Sequence, residues 1–133
     1  MLKTLIVEDS ATFRKTFKDA LCKRYTSMVT EEALDGTEAM QKIRTFLPDL
    51  VFMDIRLPGE SGLELTKKIK ASHPEIAIVI LTAYDLPEYR EAAYDGGADG
   101  FIPKSSLNLA DIAALIESIS SDRDHDFHGP AKE

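Results

Sequence analysis

The sequence predicts one α/β domain in which helices cover both faces of a parallel sheet. Two observations support this fold class. Short apolar runs rich in Ile, Val, Leu and Phe alternate with stretches in which apolar residues recur every three or four positions. The runs are apolar on both faces, as strands are when right-handed crossovers place helices on each side of a sheet. Five successive strand–helix units in about 120 residues indicate a doubly wound domain.

The strands are predicted from the apolar runs, in chain order. A weaker run supplies the second strand, just before the turn-like Asp35-Gly36. The predicted strands are Thr4 to Val7, Ser27 to Glu32, Leu50 to Met53, Ile76 to Leu81 and Gly100 to Ile102.

The helices are predicted from helical spacing and from start signals. Ser61 followed three residues later by Glu64 is a capping box, and Asp35 with Glu38 resembles one. The first and last helices carry apolar residues at helical spacing: Phe13, Phe17, Ala20 and Leu21, then Ile112, Leu115, Ile116 and Ile119.

Length and composition narrow the class of protein. A chain of 133 residues suits one domain, which we expect over residues 1–121, with the polar segment 122–133 as a tail or the start of a linker. A net charge of -7 argues against direct nucleic acid binding by this chain, because such binding needs a basic patch. No apolar run approaches the ~20 residues of a membrane span. The N-terminus reaches acidic residues too early for a signal peptide. We expect no membrane partner and a cytoplasmic location, which the single Cys22 fits.

Three carboxylates follow two predicted strands where those strands end. Glu8 and Asp9 follow the first strand, and Asp54 follows the third. Ligands of such sheets bind beyond the carboxyl ends of the strands, at the switch point between strands one and three. Two unit charges ~4 Å apart repel by about 4 kcal/mol at an effective dielectric near 20. Binding of a cation among the three carboxylates would relieve this repulsion, and Mg²⁺ prefers such oxygen ligands. Taken alone, Glu8 or Asp9 could instead cap the helix that begins near Ser10.

Two other strand ends carry groups that phosphoryl transfer uses. Thr82 ends the fourth strand, and Lys104 follows the fifth. A cation, a lysine and a hydroxyl around one carboxylate provide the positioning and charge stabilisation on which this chemistry depends. Asp54 is therefore a candidate nucleophile that would accept the phosphoryl group as an acyl phosphate.

Four segments carry a resemblance to a known family: LIVEDS, PDLVFMDIRLPGESGLEL, VILTAY and GADGFIPKS. Over about residues 2–121 the chain resembles the receiver domain of two-component response regulators. The resemblance implies a flavodoxin-like, CheY-like sheet of order 2-1-3-4-5. It also implies a phosphorylation-activated signalling switch rather than an enzyme, which takes a phosphoryl group from a sensor histidine kinase or a phosphotransfer protein and loses it slowly.

The resemblance assigns roles to the acidic residues and to one backbone carbonyl. Asp54 would be the phosphoacceptor. Asp9, Asp54 and the carbonyl of Arg56 would hold Mg²⁺, with Glu8 acting through water.

The resemblance also implies how the switch operates. Lys104 and Thr82 would bind the phosphoryl oxygens. Movement of Thr82 would let Phe101 turn inward, and the face formed by the fourth helix, fifth strand and fifth helix would change for a downstream partner or a phosphorylation-linked homodimer. Simple core packing is an equal alternative for Phe101. The chain could be the N-terminal part of a transcriptional regulator.

Two features depart from the commonest pattern of the family. Ser105 follows Lys104 at a position where proline, with a cis bond before it, is common in the family. A cis bond before a residue other than proline costs ~2.5–4 kcal/mol, so the family pattern does not fix the geometry of this peptide. Arg56 and Tyr84 occupy positions at which family members tune dephosphorylation. Both side chains would obstruct attacking water, so slow dephosphorylation is expected.

Two other classes of protein would place different residues at these strand ends. A haloacid dehalogenase-type Mg²⁺-dependent phosphohydrolase would carry its nucleophile at the end of the first strand in a D-x-D pattern, which the stretch from Glu8 to Ala11 lacks. A flavodoxin-like cofactor carrier would offer Ser, Thr and Gly donors to a phosphate in the first loop, where Glu8 and Asp9 would repel it.

Overall fold

Five parallel strands form one sheet in the order β2-β1-β3-β4-β5 in the computed structural model, which describes residues 2–128 and the side chains of residues 2–119. The strands are β1 (Lys3–Val7), β2 (Val29–Ala33), β3 (Leu50–Met53), β4 (Ala77–Thr82) and β5 (Gly100–Pro103). The helices are α1 (Ala11–Arg24), α2 (Gly36–Thr45), α3 (Gly62–Ser72), α4 (Pro87–Asp95) and α5 (Leu109–His128), with a 3-10 turn at Lys104–Ser106. The predicted fold class and strand order are confirmed.

The central strands are buried on both faces, as their uninterrupted apolar sequences predict. Every residue of β3 and β4 is buried. Because successive side chains point to opposite faces, Met53 joins one core cluster and Phe52 the other. The ring of Phe17 from α1 meets Phe52 edge-on, with the ring centroids 4.9 Å apart. The sheet thus lies between two core clusters, and the loops at its ends carry the polar residues.

The predicted helix starts lie at the expected residues, but one capping arrangement differs. The Asp35 side chain accepts a hydrogen bond from Glu38 N at 2.9 Å, as a capping residue should. Ser61 Oγ accepts from Leu63 N at 3.1 Å, one residue earlier than the capping box requires. Glu64 lies 3.5 Å from the ammonium of the lysine that follows it by one turn. Within the described residues the reciprocal half of this capping box is absent.

The last helix passes the boundary expected from the sequence. The α5 backbone is helical from Leu109 to His128, so the segment 122–133 begins within this helix. Residues 129–133 of that segment lie outside the described part of the chain. The domain boundary therefore stays a prediction. In the described residues, no helix is long and apolar enough to span a membrane.

Candidate functional site

The carboxyl ends of adjacent strands bring the predicted site residues to one edge of the sheet. Val7 pairs with Met53, so the residues that follow β1 and β3 leave the sheet side by side. The ladder continues one step further, because Asp54 N donates to the carbonyl of Val7 at 3.0 Å. On the other side, Thr82 pairs with Pro103, the residue before Lys104. Parallel pairing therefore gathers four loops at one edge.

Three carboxylates meet at this edge. Oxygen atoms of Glu8, Asp9 and Asp54 all lie within 4.8 Å of one another. Glu8 and Asp54 are only 3% and 7% exposed, while Asp9 faces solvent. Buried carboxylates this close need a compensating charge, and a set of oxygen donors open to solvent suits a hard divalent cation such as Mg²⁺.

Lys104 supplies part of the compensating charge. Its Nζ lies 2.5 Å from Glu8 Oε1 and 3.4 Å from Asp54 Oδ2. Burial opposes its charged form, but the hydrogen bond to Glu8 and the charge of Asp54 outweigh burial and raise the pKa of Lys104. One ammonium against three carboxylates leaves a net charge of -2, which matches a divalent cation.

The carboxylates differ in how many of their oxygens the protein already occupies. Glu8 uses one oxygen for Lys104 and the other to accept from Ser10 N at 2.8 Å. Glu8 therefore does bind a backbone N–H at the start of α1, as the alternative interpretation of the sequence predicts, although Ser10 is the residue that caps this helix. Asp54 Oδ1 accepts from Ile55 N at 2.8 Å, and its Oδ2 is held only loosely by Lys104. Asp54 is thus the buried acid with an oxygen available for chemistry.

Thr82 and Phe101 are both buried beside this edge. Thr82 Oγ1 accepts a hydrogen bond from Tyr84 N at 3.2 Å. Phe101 is 6% exposed and packs in the core cluster on one face of the sheet. The guanidinium of Arg90 in α4 lies 4.6 Å from the centre of its ring. Phe101 therefore packs in the core, which leaves its role in switching a prediction.

An aromatic and cationic group joins two of the loops. The guanidinium carbon of Arg56 lies 4.2 Å from the centre of the Tyr84 ring, and that ring meets Tyr89 of α4 edge-on at 6.4 Å. The neighbouring phenol groups of Tyr89 and Tyr84 raise the pKa of Arg56. The sequence places Arg56 and Tyr84 beside the site but carries no signal for their contact or for Tyr89, because the three residues belong to separate segments.

The peptide between Lys104 and Ser105 is trans, since the described residues include no cis bond. Pro103 ends β5, and a 3-10 turn begins at Lys104. The loop therefore presents Lys104 to Glu8 without the proline that is common at the next position.

The family model described as "Response regulator receiver domain" matches residues 4–117 of this chain. Among curated proteins, the oxygen regulatory protein NreC of Staphylococcus carnosus is 41% identical over 115 residues, which make up 86% of this chain and 53% of that protein. The chain spans about half the length of the curated relatives it matches.

Solved structures resemble the whole fold. A response regulator receiver domain protein (CheY-like) from Methanospirillum hungatei JF-1 gives a TM-score of 0.84 at 26% identity, covering 94% of this chain and 98% of that chain. A DNA-binding response regulator of the LuxR family from Staphylococcus aureus gives a TM-score of 0.80 at 26% identity, covering 90% of this chain and 98% of that one.

Proposed function

This chain belongs to the response regulator receiver domain family, and we propose that Asp54 is the residue through which it is phosphorylated. It is the receiver domain of a two-component response regulator, a signalling switch similar to NreC and to LuxR-family regulators. The phosphohydrolase alternative is not supported, because the receiver model covers residues 4–117. The observation that carries the proposal is the position of Asp54, buried among two other carboxylates and Lys104 with one oxygen loosely held.

The same group of oxygens forms the proposed metal site. Asp9, Asp54 and the backbone carbonyl of Arg56 would hold Mg²⁺, and Glu8, whose oxygens already bind Lys104 and Ser10 N, would contribute through water. The net charge of -2 supports a divalent ion at this place. When bound, the ion neutralises charge on the carboxylates and on the incoming phosphoryl oxygens.

The proposed transfer takes the phosphoryl group from a phosphohistidine of a kinase or phosphotransfer protein. An Asp54 carboxylate oxygen attacks phosphorus, the bond from phosphorus to the imidazole nitrogen breaks, and its electron pair leaves with the imidazole. Lys104 stabilises the charge on the phosphoryl oxygens. The Thr82 hydroxyl, whose oxygen accepts a bond from Tyr84 N, would move towards those oxygens and donate its own hydrogen to them.

We propose that this rearrangement reaches the face formed by α4, β5 and α5. Space vacated by Thr82 would allow Phe101 to change its position, and that face would then bind a downstream partner or a second phosphorylated copy. DNA binding would belong to a separate output domain, since this chain spans only part of the length of its relatives. A cytoplasmic location completes the proposal and agrees with the free thiol of Cys22.

Incubation with acetyl phosphate and Mg²⁺, followed by intact mass measurement and peptide mapping, tests this function. We expect one phosphoryl adduct on the wild type, located on Asp54, and none in Asp54→Asn. Asp19→Asn is the control, because Asp19 is an exposed acid on α1 away from the site, and it should be phosphorylated like the wild type. An adduct that persists in Asp54→Asn, or a wild type that never reacts, would overturn the proposal.

Arg56 and Tyr84 are proposed to slow the loss of phosphate. Their stacked side chains join the two loops beside Asp54 and restrict the approach of water. We expect Arg56→Asn and Tyr84→Ala to release phosphate at least severalfold faster than the wild type. Phosphate release from purified phosphorylated protein would measure this. Tyr94→Ala, which removes an exposed ring from the far end of α4, should leave the rate unchanged; equal rates in all four proteins would contradict the idea.

A further inference from the structure

Arg14, which lies outside the group of three carboxylates, forms a hydrogen bond with the backbone that carries two of them. Arg14 lies in the first turn of α1, and its side chain is 16% exposed. Its Nη1 donates to the backbone carbonyl of Glu8 at 2.6 Å, and its Nε donates to Glu32 Oε1 at 2.8 Å. The guanidinium therefore links the first loop of the site to the edge strand β2.

Arg14 binds the carbonyl of Glu8, which is the first residue after β1. The hydrogen-bond donor to this carbonyl is therefore a side chain. The carbonyl of Val7 still accepts from Asp54 N across the sheet, whereas that of Glu8 lies past the end of this ladder. The carbonyl of Glu8 and the N–H of Asp9 belong to one planar peptide unit. A hydrogen bond to this carbonyl therefore fixes the plane from which both side chains leave.

Asp9 depends on this plane more than its neighbour does. The Glu8 carboxylate is held independently by Lys104 and by Ser10 N. Within the described residues no hydrogen bond or ion pair holds the Asp9 carboxylate, which faces solvent. Before a metal binds, the chain therefore limits the position of this carboxylate through the backbone that carries it.

Arg14 is itself held in place by charge. Glu32 accepts from Arg14 with one oxygen and from Lys18 with the other, at 2.8 and 3.0 Å. Burial alone would raise the pKa of Glu32, but its hydrogen bonds to Arg14 and Lys18 lower it, so the carboxylate is charged at neutral pH. The planar guanidinium presents Nε and Nη1 to its two partners in a fixed geometry, whereas a lysine in its place would have to reach both partners from a single nitrogen.

We infer that Arg14, anchored by Glu32, is a positioning residue that sets Mg²⁺ affinity by fixing the Glu8–Asp9 peptide. This inference rests on the proposed metal site. Groups that orient metal ligands without touching the metal typically change affinity by about 10–100-fold when they are removed. Because Arg14 acts on only one of the ligands, the lower part of this range applies here.

Comparison of Arg14→Met with Lys18→Met tests the inference. Each substitution removes one positive charge and one partner of Glu32, but only Arg14 binds the carbonyl of Glu8. The Kd for Mg²⁺, measured by calorimetry on the full chain, should rise about tenfold in Arg14→Met and stay within about twofold of the wild type in Lys18→Met. Arg14→Lys, which keeps the charge but not the two-partner geometry, should also bind several times more weakly.

Urea unfolding with and without Mg²⁺ separates positioning from general stabilisation. A merely structural role would lower stability equally in both conditions and leave the Mg²⁺-dependent gain at its wild-type value. Positioning predicts a smaller gain in Arg14→Met. If Arg14→Met does not fold, Arg14→Lys decides, and wild-type Mg²⁺ affinity in that variant would overturn the inference. Failure of the wild type itself to bind Mg²⁺ would instead refute the proposed metal site.

Discussion

Replacing Gly62 with alanine should lower the free energy of unfolding by about 3 kcal/mol or more, the upper end of what overpacking costs. A Cβ at this position would lie 1.9 Å from the carbonyl oxygen of Asp54 and 2.9 Å from its carbonyl carbon. Both are backbone atoms, so no side chain can simply move aside. Either the start of α3 or the end of β3 must shift, and the bond from Gly62 N to Ile55 O at 2.8 Å would be strained or lost.

Gly59→Ala is the matched control for this substitution. Gly59 lies in the same loop at φ +83°, and a Cβ there would meet nothing within 4 Å. Its replacement should therefore cost only the left-handed conformation, about 1 kcal/mol. Urea unfolding of both variants measures the difference. Because the shift in Gly62→Ala moves the Asp54 backbone, that variant should also bind Mg²⁺ more weakly; equal stability losses in both variants would refute the steric argument.

Replacing Lys104 with methionine should destabilise the metal-free protein by about 3 kcal/mol, because it leaves the buried Glu8 and Asp54 without their cation. The same change should slow phosphorylation by acetyl phosphate about 100-fold or more, since one charge-stabilising donor is lost. Mg²⁺ should restore part of the lost stability because it neutralises the same carboxylates. Urea unfolding with and without Mg²⁺, together with the rate of adduct formation, measures these effects.

Lys42→Met is the control for Lys104→Met. Lys42 pairs with Glu31 on the edge strand, where both side chains are about a third exposed. Such pairs contribute roughly 0–1 kcal/mol, so the loss should be small and independent of Mg²⁺. Comparable losses in both variants, or an undiminished phosphorylation rate in Lys104→Met, would contradict the role given to Lys104.

Much of the fold was predictable because it depends on local pattern. An apolar run such as Leu50–Met53 can be buried on both faces only inside a covered sheet, and its ends follow from where the run stops. The second strand was the weakest prediction and begins two residues later than expected, at Val29. It is an edge strand with only Ala33 buried, so burial leaves little trace in its sequence.

The candidate site was partly predictable for a related reason. Glu8, Asp54 and Lys104 each follow a strand and Thr82 ends one, and parallel strands end at a common edge. Their convergence therefore follows from topology, and the ion pairs of Lys104 agree with it. The capping box predicts that Glu64 N donates to Ser61, but the actual donor is Leu63 N. The choice between these neighbouring N–H groups depends on small differences in the geometry of the helix start.

Local periodicity and strand ends were sufficient for the fold class, the sheet and the residues that face its open edge, because these properties depend on near neighbours in the chain and on the rules of parallel sheets. The links between segments depended on the folded chain. Arg14 reaches the carbonyl of Glu8 and the side chain of Glu32, Arg56 stacks on Tyr84, and Gly62 approaches Asp54 too closely for any side chain. Each of these is a contact of a few ångströms between different segments of the chain. The hydrophobic periods of the sequence do not specify such contacts, so only the packing of the helices against the sheet decides which residues meet.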